Sequence, residues 1–307
     1  MSTAKYQNQV RLLLDVLPDV AAEDCFALHG GTAINLFVRD MPRLSVDLDL
    51  TYLPIEDRTT TLAGIERGLR SVQSRITARD SSIRVTENAD HSKLLCSRQG
   101  VQIKVEVNTT MRGSLGDPIV RVLSEKTQEA FERFAEMRIL PIGQLYGGKI
   151  CAALDRQHPR DLFDVRYMLQ EPGFSDEIRR GFLFCLLCGD RPMHEVIWPT
   201  LLDQRSTLDN HFAGMAEEPF SYDEFEETRR QLIETVNGSL TDPDQQFLVS
   251  FKEGEPAWAE YGFQDFEKFP AVQWKLQNIR KLSTSNVAKH EEQLQALIER
   301  LGMSRAK

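Results

Sequence analysis

The segment SVDLDLTYL (residues 45–53) alternates without a break: Val46, Leu48 and Leu50 fall to one side, Asp47, Asp49 and Thr51 to the other. A period of two marks a strand with one face in a core, so this stretch commits the chain to a sheet. It also sets two carboxylates on the same side of that sheet, because residues i and i+2 of a strand project together. VQIKVEVNT (101–109) repeats the pattern, with Val101, Ile103, Val105 and Val107 against Gln102, Lys104, Glu106 and Asn108. Gln99-Gly100 just before it is a turn signal. With strands expected at about 82–87 and 91–97, the spacing predicts an antiparallel hairpin.

Helical spacing organises most of the remainder. Val10, Leu13, Leu14 and Leu17 predict a helix over 5–17 that stops before Pro18. FALHGG (26–31) reads as a short strand running into a double-glycine turn, and TAINLFVRD (32–40) as a helix ended by Pro42. Pro54 ends the alternating strand, and 57–79 reads as a long helix carrying Arg67, Arg70, Arg75 and Arg79. From about residue 124 the chain becomes mostly helical. Its clearest stretch, 145–170, predicts a helix, a turn at His158-Pro159 and a second helix, and 176–188 continues the pattern. Residues 236–247 (TVNGSLTDPDQQ) read as a loop, and the chain closes on two further helices. For 307 residues a length of about 150 per domain predicts two domains, 1–140 and 141–307, with a soft boundary near 112–140.

The formal charge of -9 argues against a uniformly basic nucleic-acid coat. Its distribution narrows that statement. Residues 1–112 hold 14 acids and 14 bases, residues 113–180 hold 11 and 10, and residues 181–307 hold 21 and 13. The acid excess lies in the last segment, which leaves room for a basic groove earlier, with the four arginines of 57–79 as candidate contacts to a nucleic-acid backbone. Five scattered cysteines indicate a reduced, cytoplasmic protein. Cys185 and Cys188 form a C-x-x-C, but inside the apolar run FLFCLLC they read as a buried helix face rather than a zinc or redox site. The first residues lack the pattern of a signal peptide, and no apolar run is long enough to span a membrane.

Asp47 and Asp49, with Glu106 on the polar face of a second alternating strand, are the candidate metal ligands. If the two strands are neighbours, three carboxylates converge, and oxygen-only ligands suit Mg²⁺ or Mn²⁺ together with substrate phosphates. Acids are also common on a solvated strand face, and that reading stands beside the first. Gly30, Gly31 and Thr32 supply a tight turn into a helix, whose backbone N–H groups and hydroxyl suit an anion; an ordinary strand–helix turn is the alternative. A glycine turn for a triphosphate ahead of paired metal-binding acids describes nucleotidyl transfer. Further along, Lys149 is a point charge able to hold a phosphate, and Arg156 and Arg160 offer forked donors. Asp161 and Asp164 share a helical face, where one orients Lys149 or acts as a base, unless Arg160 and Asp164 merely form a salt bridge at a helix start. His29, immediately before the glycines, is placed to approach a ligand; Ser45 reads as a strand-edge residue, with contact of its hydroxyl to phosphate as the alternative, and His158 reads as structural.

GGTAINLFVRDMPRLSVDLDL resembles the glycine and D-x-D region of the AbiEii/AbiGii-type toxin nucleotidyltransferases. IKVEV (103–107) is similar to their next motif, and KICAALDRQHPRDLFDV (149–165) to their lysine, arginine and R-D-x-x-D signature. The resemblance spans roughly residues 26–170. It implies an α+β nucleotidyltransferase fold of polymerase beta type, a mixed sheet with flanking helices, followed by a mainly helical domain whose first helices (145–170) complete the active site. It further implies Asp47 and Asp49 as the metal pair, Lys149 as the essential lysine, Asp161 as the aspartate of the R-D motif followed by Asp164, and Glu106 as the third acid. The basic residues that follow the family's glycine motif are matched by Arg39 and Arg43. The implied activity is that of a toxin of a toxin–antitoxin or phage-defence pair in the bacterial cytoplasm. It would transfer NMP from an NTP to an acceptor hydroxyl, with the 3′ end of tRNA favoured and a cognate antitoxin encoded nearby. A protein or small-molecule hydroxyl is the alternative acceptor, and a degenerate, non-catalytic nucleotide- or partner-binding protein is the alternative class.

Overall fold

The computed structural model describes residues 3–303. The chain divides into two compact units, one comprising residues up to Pro141 together with Thr207–Pro219, the other Ile142–Ser206 together with the chain from Phe220 onward.

The first unit holds one seven-stranded sheet among the described residues: β1 (Phe26–His29), β2 (Asp47–Tyr52), β3 (Arg84–Glu87), β4 (Lys93–Arg98), β5 (Val101–Asn108), β6 (Ile119–Val122) and β7 (Glu136–Ile139), in the order β3-β4-β5-β2-β1-β7-β6. β2 runs parallel to β5, and β1 parallel to β7, while the other pairs are antiparallel. The sheet is therefore mixed, as expected. β4 and β5 form the anticipated hairpin about Gln99 and Gly100, both of which have positive φ.

The helices of this unit are α1 (Thr3–Ala21), α2 (Gly30–Ala33), α3 (Arg58–Arg79) and α4 (Glu125–Phe131). The apolar half of each alternating strand turns to one side. Phe26, Leu28, Leu48, Leu50 and Val105 are fully buried there, each contributing about 1.5–3 kcal/mol of transfer free energy. α3 lies close on this face because Gly64 sits against the Tyr52 ring and Gly68 against the Phe26 ring. α1 runs through Pro18 to Ala21, four residues beyond Leu17, where the helix was expected to stop. Pro18 is exposed, and Leu17 and Val20 on either side of it are fully buried, so core packing outweighs the one backbone hydrogen bond that proline removes.

Two strands were not anticipated: β6 lies ahead of residue 124 in a stretch with no expected element, and β7 lies in the part expected to be mostly helical. β6 and β7 flank α4 and have four residues each, too short to show a period; β7 earns its strand conformation from its neighbours β1 and β6.

The second unit is helical: α5 (Ile142–Asp155), α6 (Pro159–Gln170), α7 (Asp176–Cys188), α8 (Met193–Ile197), then α9 (Arg205–His211), which begins in this unit and ends in the first, α10 (Tyr222–Ser239), α11 (Asp242–Glu253), α12 (Pro270–Ser285) and α13 (Val287–Arg300). α5 and α7 meet at backbone distance through Gly143, Gly147 and Gly181, where any side chain would collide with the opposing main chain. The C-x-x-C cysteines are buried on α7, and burial pushes the Cys185 thiol up to about 12, in keeping with a packed face. The loop expected at 236–247 is absent. α10 ends at Ser239 and α11 starts at Asp242, because Thr241 and Asp244 form a reciprocal capping box and Pro243 lies in the first turn, where its missing N–H costs nothing.

Candidate active site

The glycine pair is the first turn of α2 rather than a turn ahead of it, and a turn of π-helix, Ile34–Val38, follows directly. Two close approaches demand glycine here. Gly30 has φ +72°, and a Cβ on it would lie 2.8 Å from Asp49 Oδ2. A Cβ on Gly31 would lie 2.8 Å from Arg43 Nη2 and 3.0 Å from Ser45 Oγ. Arg43 is only 3% exposed and donates from Nη1 to the Leu44 carbonyl at 3.0 Å, so its cationic head is packed against the glycine turn. The Thr32 hydroxyl is committed inward: Oγ1 hydrogen-bonds Ser45 Oγ at 2.9 Å and the Asp47 main-chain oxygen at 2.5 Å. Its effect is to tie the start of α2 to the start of β2, holding the aspartate strand at a set distance from the glycines.

Register assembles the polar face. His29 on β1 stands opposite Asp49 on β2, Asp49 opposite Glu106 on β5, and Glu106 opposite Lys93 on β4, forming a row across four strands. Asp47 pairs in register with Lys104. Neighbouring strands lie about 4.8 Å apart, so these side chains are within reach of one another. Glu106 is held by both lysines, at 2.9 Å from Lys93 Nζ and 2.6 Å from Lys104 Nζ. Partial burial raises the Glu106 pKa, but the two ammonium groups outweigh it and hold the carboxyl below its ordinary value. For Lys104, burial works against the charge, and the hydrogen bond to Glu106 with the fields of Asp47 and Asp49 raises its pKa overall.

In the second unit, α5 and α6 carry a separate buried cluster. Lys149, 6% exposed, bridges two carboxylates, with Nζ 2.9 Å from Asp161 Oδ1 and 3.0 Å from Asp164 Oδ2. Arg156 caps the outer side of Asp161 at 2.6 Å. Burial raises the Asp161 pKa, and Lys149 followed by Arg156 more than reverses this, leaving the carboxyl well below the usual carboxylate range. Local sequence shapes this corner: His158 is the N-cap of α6, accepting from the Arg160 N–H at 3.1 Å, and Pro159 occupies the first turn.

The family model of the nucleotidyl transferase AbiEii toxins of type IV toxin–antitoxin systems matches residues 11–278. The chain belongs to this family. As a member it is a nucleotidyltransferase toxin, with an NTP as substrate and an antitoxin as its partner. No curated protein matches the chain. Among solved structures, MenT4, a nucleotidyltransferase toxin from Mycobacterium tuberculosis H37Rv, is similar in fold, with a TM-score of 0.62 over 90% of this chain and 93% of that one at 13% identity.

In this AbiEii-family chain the candidate residues fall into two groups. Gly30, Gly31, Thr32, Arg43, Ser45, Asp47 and Asp49 come together, with His29 beside them. Lys149, Asp161 and Asp164 come together with Arg156. Three expectations change. Thr32 binds the chain itself, so its hydroxyl is not the free anion donor the sequence suggested. Glu106 is bound by two lysines, and among the described residues no three His, Cys, Asp or Glu side chains gather as a metal-binding group. Arg160 makes no salt bridge to Asp164, which instead pairs with Lys149, so its guanidinium has no ion-pair partner among the described residues. The arginines of α3 are also largely spent: Arg75 pairs with Glu23, Arg79 with Asp19 and Arg70 with Glu66. Lys93 and Lys104 are site residues that were not among the expected ones. The alternation of Lys104 with Glu106 was the signal, legible once β5 is known to lie parallel to β2.

The donor set can be tested against a divalent cation. Asp47 and Asp49 offer two carboxylates from one strand face, with the N-terminal turn of α2 directly against Asp49. That fits Mg²⁺, which takes one or two protein carboxylates and completes its octahedron with phosphate oxygens and water. It does not fit an all-protein cage.

Proposed function

We propose that this AbiEii-family enzyme transfers an NMP from an NTP to an acceptor hydroxyl, releasing pyrophosphate, and that the acceptor is the 3′ end of tRNA. The observation that carries the transfer chemistry is the contact of Gly30 with the Asp49 carboxylate, with Asp47 two residues along the same strand face. It joins a phosphate-binding turn to a cation-binding pair within one side chain's width.

A bound Mg²⁺ or Mn²⁺ ion would polarise the phosphoryl oxygens and offset the charge gathered there. The residues of the chain account for the rest. The first-turn N–H groups of α2 would face a bound phosphate, and Arg43 packed against Gly31 adds positive charge next to them. Thr32 and Ser45 hold the strand that presents Asp47, so substrate phosphates meet a site already in place. Lys104 limits the mutual repulsion of Asp47, Asp49 and Glu106. Glu106 and Asp161 are both held in their charged forms by cations, which supports orienting roles for them over proton removal. Lys149 matches the family's essential lysine, and its burial between two aspartates supports a positioned, low-entropy charge.

The test is incubation with each labelled NTP, Mg²⁺ and total RNA, for the wild type and Asp47→Asn. The expected outcome is label in an RNA band of tRNA size, lost by about 10²-fold or more in the variant while the unfolding curve is unchanged. Label in a protein band would move the acceptor to a protein hydroxyl. No pyrophosphate release with any NTP would leave a binding protein in place of an enzyme.

A further inference from the structure

The acidic C-terminal region contains a cavity of opposite character. Helices α8, α11, α12 and α13 enclose about 200 Å³, with Lys252, Lys275 and Lys289 on its walls and Asp190 as the one acid lining it. This lies in residues 181–307, which hold eight more acids than bases. Three ammonium groups gathered in that segment run against its composition.

The three lysines are not equivalent. Lys275 Nζ donates to the carbonyls of Leu186 (3.2 Å), Gly189 (2.6 Å) and Arg191 (2.7 Å), which uses all three of its N–H bonds to close the end of α7. It adds field to the cavity but no free donor. Lys252 is 6% exposed, donates once, to Gln293 Oε1 at 2.7 Å, and has no ion pair among the described residues. Burying an ammonium without a counter-charge costs several kcal/mol, so a buried lysine ordinarily keeps a carboxylate beside it. Burial holds both Lys252 and Lys275 at about 8, in line with that deficit. Lys289 stands exposed at the rim, and His194 is kept neutral near pH 7 because burial lowers its pKa. The lining therefore carries a formal charge of +2. The remaining wall is apolar, including Met193, Ile279 and Leu297.

We propose that this cavity binds a small phosphate monoester, its head group on Lys252 and Lys289 and its body against Met193, Ile279 and Leu297. A phosphate monoester carries close to two negative charges at neutral pH, matching the lining, and its oxygens accept the two N–H bonds that Lys252 does not give to Gln293. An apolar wall beside a few convergent polar groups is the usual make-up of a small-molecule site. None of these residues belongs to the transfer chemistry, so the inference stands whether or not that reading does.

The probe is phenyl phosphate, titrated by calorimetry in EDTA, with phenol as the uncharged control. Saturable binding is expected for phenyl phosphate and not for phenol. Lys252→Met should weaken it about tenfold or more, and Lys289→Met several-fold, while Lys268→Met, away from the cavity, leaves it unchanged. Absence of saturation up to about 10 mM, or equal weakening by all three variants, overturns the proposal. If Lys252→Met does not fold, Lys289→Met decides alone, since its side chain is exposed: affinity equal to wild type refutes the site.

Discussion

Replacing Lys149 with methionine removes one ammonium and leaves two aspartates whose side chains are 1% and 0% exposed. The cost follows from what remains. Asp161 keeps Arg156 at 2.6 Å and so stays compensated, whereas Asp164 loses its lysine in the interior. Breaking a buried pair from one side costs about 3–5 kcal/mol, and here the ion pair lost is that of Lys149 with Asp164. Against a total stability of about 5–15 kcal/mol this is a large share, and for a unit of this size it lowers Tm by about 6–20 °C. Thermal and urea unfolding followed by circular dichroism measure it. Adding Asp164→Asn to Lys149→Met should recover half or more of the loss, since the buried carboxylate that lost its lysine is neutralised. A single variant that melts within about 2 °C of wild type would refute the reasoning. The double variant also separates two roles. If Lys149 contacts substrate phosphate, the refolded double variant stays inactive; if it only holds α5 against α6, activity returns with stability.

Other outcomes follow from the same geometry. Gly30→Ala places a Cβ 2.8 Å from Asp49 Oδ2 at a φ of +72°, so transfer should fall about 10²-fold through displacement of the carboxylate, with a stability loss of only about 1–2 kcal/mol by urea titration. Gly181→Val forces α7 off α5 and should cost about 3 kcal/mol or more, read as a lowered urea midpoint. The Asp161 pKa is depressed on folding, so the stability it contributes is present above its unfolded value of about 3.9 and is lost as pH falls toward the native one. Urea midpoints at pH 7, 4 and 3 should therefore fall more steeply for wild type than for Asp161→Asn, and equal slopes would sink this assignment.

Particular elements show where sequence reading reached and where it ended. β2, β5, α3 and the α5–α6 pair were legible because their apolar residues recur at the period of the element, a property of consecutive residues alone. Pro18 misled because the packing of Leu17 and Val20 lies outside any local rule. β6 and β7 were invisible because four residues carry no period and their partners supply the conformation. The loop at 236–247 was wrong for a different reason: Thr241-Asp242-Pro243 has the composition of a turn and also that of a helix start, and only the capping box with Asp244 separates the two.

By itself the sequence determined that Asp47 and Asp49 share a side of a strand, that a glycine pair precedes them, and that Lys149 and Asp161 lie on successive helices. Those are consequences of short-range geometry. Tertiary structure alone decided which charges meet: β5 parallel to β2 brings Lys104 to Asp47 and draws Glu106 to two lysines, while the glycine turn presses Gly30 against Asp49 and Gly31 against Arg43. Charge–charge energies depend on separations and burial of a few ångströms, and residues 57 positions apart, like Asp49 and Glu106, come by theirs only through strand register.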